Sequence, residues 1–360
     1  YSSQYGGKFA DPNNGYTYNV NLAKVGGNWR FSYSNFVESN TYDINDLGFL
    51  RANNQFTNSA SVSYNIFEPR EKFLNFRNSV SVTHDMLYEP RTFTSLSISN
   101  STRITFKNFF SSNLSLNYSP TNEYDYFEPR VDGRLFKKPS FKGVFYSFST
   151  DSRKRARLFG IMNYYDFNTE NQQWYSLRLI PSIRVNDRLW ISTNFGTSGS
   201  IDDLGYVEHE NDEIYFGLRD VTTFTNIVTT QYNFNNRMGL NFRMRHYYSK
   251  AEYHDYMELN QDGTLADSDY NENHNRNFNT FNIDMVYSWN FAPASEISIV
   301  WKNEIIADQE ELVDGYFHNL DDTFNAPTSN SLSVRFLYLI DYSLLKKSKE
   351  RGGLLRDIIA

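Results

Sequence analysis

Basic side chains recur in one phase of the strand-like segments of this sequence. In these segments apolar and polar residues alternate, and the cations of the polar phase are Arg77, Arg103, Arg178, Arg184, Arg243, Arg245, Lys302 and Arg335. The carboxylates of the same phase are Asp85, Asp284, Glu296, Glu304 and Asp341. A guanidinium group binds a planar anion through two parallel hydrogen bonds. The pattern predicts a polar interior surface that selects anions or holds an acidic or sugar substrate.

The same residues also allow a structural interpretation, which we favour from the sequence alone. Cations and carboxylates that share a phase can neutralise one another, or they can pair with a segment that fills the interior. Both interpretations make these residues line an interior. They differ in whether the positive charge stays free for a solute.

An aromatic-Glu-Pro-Arg motif occurs three times, at residues 67–70, 88–91 and 127–130. The third copy follows Tyr126 and contains Phe127, Glu128 and Arg130. Proline stops strand pairing and fixes φ for a turn, and the flanking Glu and Arg can pair beside it. We therefore interpret the motif as a device that ends strands, with a shared ligand-binding rim as the alternative.

Catalytic and metal-binding patterns are weak in this sequence. Two of the six histidines, His84 and His246, fall in the apolar phase of their strands, and the others lie in predicted loops. No nucleophile elbow, zinc-protease helix or glycine-rich phosphate loop stands in a fitting context. We expect no cofactor and no metal, and an enzyme is the least favoured class of function.

The elements that position these residues are predicted β-strands. Between residues 281 and 291 every second position is apolar or aromatic, residues 292–295 interrupt the pattern, and the alternation then resumes to residue 305. A period of two indicates a β-hairpin with one apolar face. That face carries Trp289, Phe291 and Trp301, and Tyr342 follows near the end of the last strand. Large rings of this kind are typical of a membrane interface.

Composition is compatible with a membrane protein that crosses with strands. The chain has 360 residues, 27 Tyr, 30 Phe and no Cys, and its mean hydropathy is −0.61. No run of about 18 apolar residues is present to span as a helix, whereas a spanning strand needs only about 9–11 residues, half of them polar. The net charge of −7 and the lack of a basic patch with interleaved aromatics argue against nucleic acid as a partner.

Short and long connections alternate along about 15 predicted strands, and the long ones are acidic. This arrangement predicts an all-β fold, a transmembrane antiparallel up-and-down β-barrel with about 14–16 strands in this chain, short periplasmic turns and long extracellular loops. We expect the barrel in residues 1–343 and a periplasmic tail in residues 344–360. With a periplasmic end near residue 342, an odd number of further strands is expected before this chain.

The loops and their flanks resemble a known family. The resemblance rests on residues 42–51, 124–130, 216–220, 259–264 and 281–303. They are similar to the C-terminal barrel of an uncharacterised bacterial outer-membrane family whose members often carry an N-terminal domain like family-nine carbohydrate-binding modules. The resemblance implies an outer-membrane location and a glycan-binding module upstream. It brings no activity or catalytic residues.

The predicted barrel and the family resemblance lead us to expect one of three functions. The first is a pore or transport component for a polar, carbohydrate-related solute. The second is a non-conducting anchor that presents a carbohydrate-binding module, and the third is a glycan- or lipid-active hydrolase. The expected partners are outer-membrane lipid, a polar or saccharide solute and other envelope proteins.

Overall fold

The computed structural model describes residues 15–45, 50 and 52–340. Asp341, Tyr342 and the predicted tail at 344–360 lie outside the described residues. The described part of the chain contains eighteen strands and one helix. The elements are β1 (Thr17–Lys24), β2 (Trp29–Glu38), β3 (Gln55–Ile66), β4 (Phe73–Leu87), β5 (Phe93–Phe106), β6 (Ser111–Ser119), β7 (Glu123–Asp125), β8 (Phe136–Lys138), β9 (Phe141–Ser149), β10 (Ala156–Phe167), β11 (Gln173–Arg184), β12 (Leu189–Glu210), β13 (Glu213–Asn235), β14 (Met238–Leu259), β15 (Leu265–Asp267), β16 (Arg276–Ala292), β17 (Ser295–Gln309), α1 (Tyr316–Asn325) and β18 (Thr328–Leu337).

One large antiparallel sheet dominates the fold. Its path runs β1-β2-β3-β4-β5-β6-β9-β10-β11-β12-β13-β14-β16-β17-β18, so each long strand pairs with the next long strand along the chain. β15 pairs with β14, and β7 with β8 forms a separate hairpin. The predictions of an all-β fold and of antiparallel, up-and-down strand order are therefore confirmed. Within the described chain the path is open, with β1 and β18 at its edges.

The two faces of the sheet differ in chemistry because successive side chains of a strand alternate between faces. One face, the apolar face, exposes large side chains such as Leu22, Leu116, Leu177, Phe195 and Val334. The other, the polar face, carries mostly Ser, Thr, Asn and charged residues. The described residues form only a small buried core, centred on Phe136, Ile214, Phe216 and Leu259 at the long-connection end. The sheet itself therefore encloses no large apolar interior of its own.

One predicted long loop is wrong and a second is shorter than predicted, because strands continue into them. The acidic residues between 200 and 212 predict a long loop there, yet β12 and β13 pair as far as Glu210 and Glu213. Asn211 and Asp212 turn the chain with φ of 50° and 66°, the left-handed pair that a two-residue hairpin turn requires. Likewise, β14 reaches Leu259 inside the predicted loop at 251–275. Acidic residues such as Asp203, Glu208 and Glu258 are part of the paired strands here, so charge and strand pairing coexist.

Residues 120–139 form a hairpin that bridges distant strands. The ring of Tyr124 lies 6.1 Å from that of Phe93 on β5, and the ring of Phe136 lies 4.5 Å from that of Phe216 on β13. Six inter-strand steps separate β5 from β13, roughly 29 Å in a flat sheet. The paired strands β7 and β8 are too short to cover that distance. The sheet is therefore strongly curved at its long-connection end.

Helix α1 lies within another predicted loop and packs on the apolar face. The Tyr316 hydroxyl accepts a hydrogen bond from Asn226 Nδ2 at 2.8 Å and lies 2.9 Å from His246 Nδ1. Asn319 Oδ1 accepts from the amides of Asn277 and Asn279. The helix thus covers the polar side chains that interrupt the apolar face. No helix in the described ranges is long and apolar enough to cross a membrane.

Candidate functional site: the polar face of the sheet

Apart from Glu128 and Arg130 of the repeated motif, the charged residues singled out in the sequence that the structure describes lie on the polar face. The strand register assigns each of them to this face, because residues that are direct partners in an antiparallel pair share a face. Arg178 is the partner of Gly196, Arg184 of Trp190, and Arg335 of Ser298. Their side chains, like those of Arg77, Arg103, Arg243 and Arg245, are exposed. The polar face therefore presents a surface with many free hydrogen-bond donors.

Opposite charges alternate across strands β14, β16 and β17. Arg243, Asp284 and Lys302 are direct partners in one row. In the next row, Arg245 Nη2 donates to Asn282 Oδ1 at 3.0 Å, and Asn282 Nδ2 donates to Glu304 Oε1 at 3.3 Å. The two rows line a cavity of about 280 Å³. This arrangement can hold a small polar solute by its hydroxyl or carboxylate groups.

A like-charged pair lies on the same polar face, far from β14 along the strand order. Arg77 on β4 is the direct partner of Arg103 on β5. Their outer neighbours in the register are Asn65 and Asn113, which carry no charge. Two cations in this relationship repel each other unless an anion lies between them. The pair is therefore a candidate anion contact.

Few of the predicted cations have an acidic partner. Among the described residues, Arg335 forms an ion pair with Glu296 at 2.8 Å. Arg77, Arg103, Arg178, Arg184, Arg243 and Lys302 have no carboxylate oxygen within 4.0 Å in that part of the chain. The geometry leaves these charges available to a solute.

Asp85 lies apart from the cations, near the long-connection end. Its carboxylate accepts from Thr57 at 2.5 Å and from Ser95 at 2.9 Å. It lines a cavity of about 600 Å³ together with Glu123, Asp125 and Lys138 of the β7–β8 hairpin. No group of three or more His, Cys, Asp or Glu side chains in the described ranges is arranged to hold a metal.

The pKa values of the two hairpin carboxylates at this cavity, Glu123 and Asp125, are shifted in opposite directions. Burial raises the pKa of Glu123 above its usual value. Burial acts the same way on Asp125, but Lys138 at 2.5 Å and the backbone N–H groups of residues 127 and 128 outweigh it and lower the pKa of Asp125. Asp125 is therefore the charged anchor of the hairpin.

The third copy of the repeated motif fixes the same hairpin to β12. Glu128 Oε1 accepts a hydrogen bond from the backbone N–H of Tyr206 at 3.2 Å. The Arg130 guanidinium lies 4.2 Å from the centroid of the Tyr206 ring. Tyr126 is buried, and Phe127 lines the cavity beside Asp85. The first copy, at residues 67–70, lies at the opposite end of the sheet, so the three copies share no rim.

The predicted interface aromatics lie on the apolar face. The Trp289 and Phe291 rings are 5.8 Å apart, and Phe291 stacks on Phe336 at 5.5 Å. Trp301 Nε1 donates to Asn330 Oδ1 at 3.2 Å. Tyr342 lies outside the described residues. The short-turn end of β16 and β18 therefore carries a cluster of rings on one face.

A group of aromatics on the polar face of β9, β10 and β11 was not predicted from the sequence. We call the group the aromatic shelf and define it as Phe141, Phe145, Tyr165 and Trp174. The polar phase of β3–β6 consists of Ser, Thr, Asn, Gln, Arg and Asp from residue 55 to 65, 75 to 85, 95 to 105 and 111 to 119. From β9 onward, aromatic residues appear in this phase, and this change in the sequence could have revealed the shelf.

Comparison with known proteins places the chain in a family. A family model described as Domain of unknown function (DUF5916) matches residues 1–349. No curated protein matches the chain. Because the family model covers nearly the whole sequence, the chain belongs to the DUF5916 family.

Proposed function

We propose that this member of the DUF5916 family spans the bacterial outer membrane as a β-barrel and acts as a pore or transport component for a polar solute. One observation carries the proposal: along fifteen consecutive strands, one face is apolar and exposed while the other is polar and rich in unpaired cations. A barrel wall between lipid and water needs this division.

The apolar face supports membrane insertion. Monomeric soluble proteins rarely expose contiguous apolar patches larger than a few hundred Å². Here side chains such as Val82, Leu116, Leu177 and Val334 are exposed along the whole sheet. Lipid covers such a surface without cost, and ring clusters such as Trp289 with Phe291 fit the level of the headgroups.

The connections support an orientation. Short turns carry cations, including Arg153, Lys154 and Arg155, and the connections at the other end carry most of the carboxylates. We place the short turns in the periplasm and the long connections outside. Cysteines at Asp262 and Asn236, introduced singly into this chain without native Cys, test this in intact cells with an impermeant thiol reagent. Labelling at residue 262 alone is expected, and labelling at residue 236 alone would invert the orientation.

Conduction tests the function itself. The purified, folded protein in a planar bilayer is expected to give discrete current steps. Replacing Arg243 and Arg245 together by Gln should lower the permeability ratio of chloride to potassium, because these guanidinium groups attract anions. Arg237→Gln is the control. Arg237 lies in the turn between β13 and β14, so its replacement removes a positive charge outside the cavity. It should leave selectivity unchanged.

A non-conducting anchor is the second candidate, and the β7–β8 hairpin favours it. The hairpin contacts β5 on one side and β12–β14 on the other. A segment that bridges the rim in this way restricts the opening of a barrel. Absence of current from protein that is folded by circular dichroism would support this candidate over the pore.

A further inference from the structure

The aromatic shelf lies on the polar face of β9, β10 and β11. The Phe141 and Tyr165 rings lie 5.5 Å apart, and the Tyr165 and Trp174 rings lie 5.6 Å apart. Phe145 follows two residues further along β9 from Gly143, on the same face. All four side chains are half-buried, so each keeps part of its ring surface accessible. Accessible ring surface on a polar face is available to the apolar surface of a solute.

Tyr165 lies flat on the sheet. A Cβ atom added to Gly143, its direct partner on β9, would lie 2.4 Å from Tyr165 Cδ1 and 2.5 Å from Cε1. The ring therefore occupies the space above the glycine. Its hydroxyl accepts from Asn117 Nδ2 at 3.4 Å, which fixes the outer edge. A ring held flat against the backbone presents its other face to the interior.

Polar groups adjoin the shelf on the side of the short turns. Phe145 and Trp174 line a cavity of about 360 Å³ with Asn163, Ser176 and Arg178. Asn163 Nδ2 donates to Ser176 Oγ at 2.8 Å. The Arg178 side chain extends above Gly196, whose added Cβ would lie 3.9 Å from Arg178 Nε. Among the described residues, Arg178 has no acidic partner.

We propose that the shelf and this cavity bind an acidic saccharide. One face of a pyranose ring presents C–H groups, which pack on the electron-rich face of an aromatic ring. The amide and hydroxyl groups of Asn163 and Ser176 suit sugar hydroxyls. The Arg178 guanidinium suits a carboxylate or sulfate substituent. The cavity volume falls within the range of small-molecule sites. This inference rests on the proposed transport function and names its class of solute.

The sheet also provides a control for a purely structural role of the Gly143–Tyr165 pair. Gly160 and Phe148 form an equivalent pair on the apolar face, where a Cβ on Gly160 would lie 2.3 Å from Phe148 Cε1. Gly143→Ala displaces the Tyr165 ring, and Gly160→Ala displaces the Phe148 ring, between the same two strands. Both changes disturb packing to a similar degree. They differ in the face that they alter.

Binding is tested on the folded protein in detergent micelles, independently of conduction. The probes are a trimer of galacturonic acid and, as the neutral counterpart, maltotriose, titrated while tryptophan fluorescence is recorded. The signal of Trp174 is isolated by subtracting that of Trp174→Phe. We expect saturable binding of the acidic trimer, weakened about tenfold by Tyr165→Ala and by Gly143→Ala. Gly160→Ala should bind as the unchanged protein does.

The arms of the experiment separate the possible outcomes. Arg178→Gln should remove the preference for the acidic trimer over maltotriose while leaving stacking intact. Equal binding by Gly143→Ala and the unchanged protein, or no saturable change with either saccharide, would overturn the proposal. Saturable binding without current in a bilayer would retain the saccharide site and reject the pore. Current without saccharide binding would do the reverse.

Discussion

Arg77 and Arg103 are direct partners on neighbouring strands, and both side chains are exposed on the polar face with no ion-pair partner in the part of the chain that the structure describes. Like charges in this position destabilise a sheet by roughly 0.2–1 kcal/mol. Arg103→Gln should therefore raise the urea midpoint of the protein in detergent at low ionic strength. The gain should disappear at high salt, because salt screens exposed charges. A fall in the midpoint at low salt would indicate that the pair already holds an anion.

The β7–β8 hairpin should control passage through the proposed barrel. Phe136 is buried against Phe216, and truncation of a buried Phe to Ala costs about 3–5 kcal/mol. Phe136→Ala should release the hairpin and increase the single-channel conductance. Phe317→Ala, at a ring that is 81% exposed, is the matched control and should leave conductance unchanged. Equal conductance in both variants would mean that the hairpin does not obstruct the pore.

The attachment of the same hairpin should depend on pH. Asp125 has a lowered pKa, since Lys138 and two backbone N–H groups outweigh its burial. Its stabilising charge is therefore present at neutral pH and is lost only once the pH falls below the ordinary aspartate value of about 4. Glu123 has a raised pKa from burial. Acidification from neutral pH protonates Glu123 before Asp125. This protonation removes the desolvation cost of the buried Glu123 charge, so it does not release the hairpin at pH values where Asp125 is still charged.

A nitroxide at residue 132 provides the readout for this prediction, since the chain has no native cysteine. Its spectrum should remain immobilised from pH 7 to about 4 and become mobile below that pH. In the Asp125→Asn background the label should be mobile at every pH. A spectrum that loosens between pH 7 and 5 would assign the attachment to a different group.

Helix α1 should stabilise the sheet through Asn319. This residue is fully buried, and its Oδ1 accepts from Asn277 and Asn279, which are buried as well. Asn319→Ala leaves two amide groups without that acceptor, at a cost of about 1–3 kcal/mol. Asn325→Ala, on the exposed end of the same helix, has the same helix-propensity change and should cost little. Urea unfolding of the two variants in detergent measures the difference.

The alternation of apolar and polar residues made the long strands predictable from the sequence. Contacts between residues far apart in the sequence could not be predicted in this way. The hairpin of β16 and β17 follows directly from the period-two pattern around Trp289 and Trp301. The pairing of Arg77 with Arg103 depends on strand register, which turn geometry sets. Phe136 meets Phe216 across a curved sheet, so no local pattern indicates it. Helix α1 begins after Gly315 without a side-chain cap and gives no start signal. Asn226, Asn277 and Asn279, polar residues in an apolar phase, were signs of a covering element.

The assignment of the two faces to lipid and water can be tested with adjacent residues of β11. Leu177 lies on the apolar face and Arg178 on the polar face, and both side chains are exposed. Leu177→Cys and Arg178→Cys, each carrying a nitroxide in the protein reconstituted into bilayers, should differ in access to oxygen and to a water-soluble nickel complex. Oxygen partitions into lipid, so the label at 177 should relax faster with oxygen and the label at 178 with nickel. Nickel access at both sites would place the sheet outside the membrane, and the reverse result would place the arginines in lipid. Because the two sites are consecutive, depth and local mobility are nearly equal, and the comparison isolates the face.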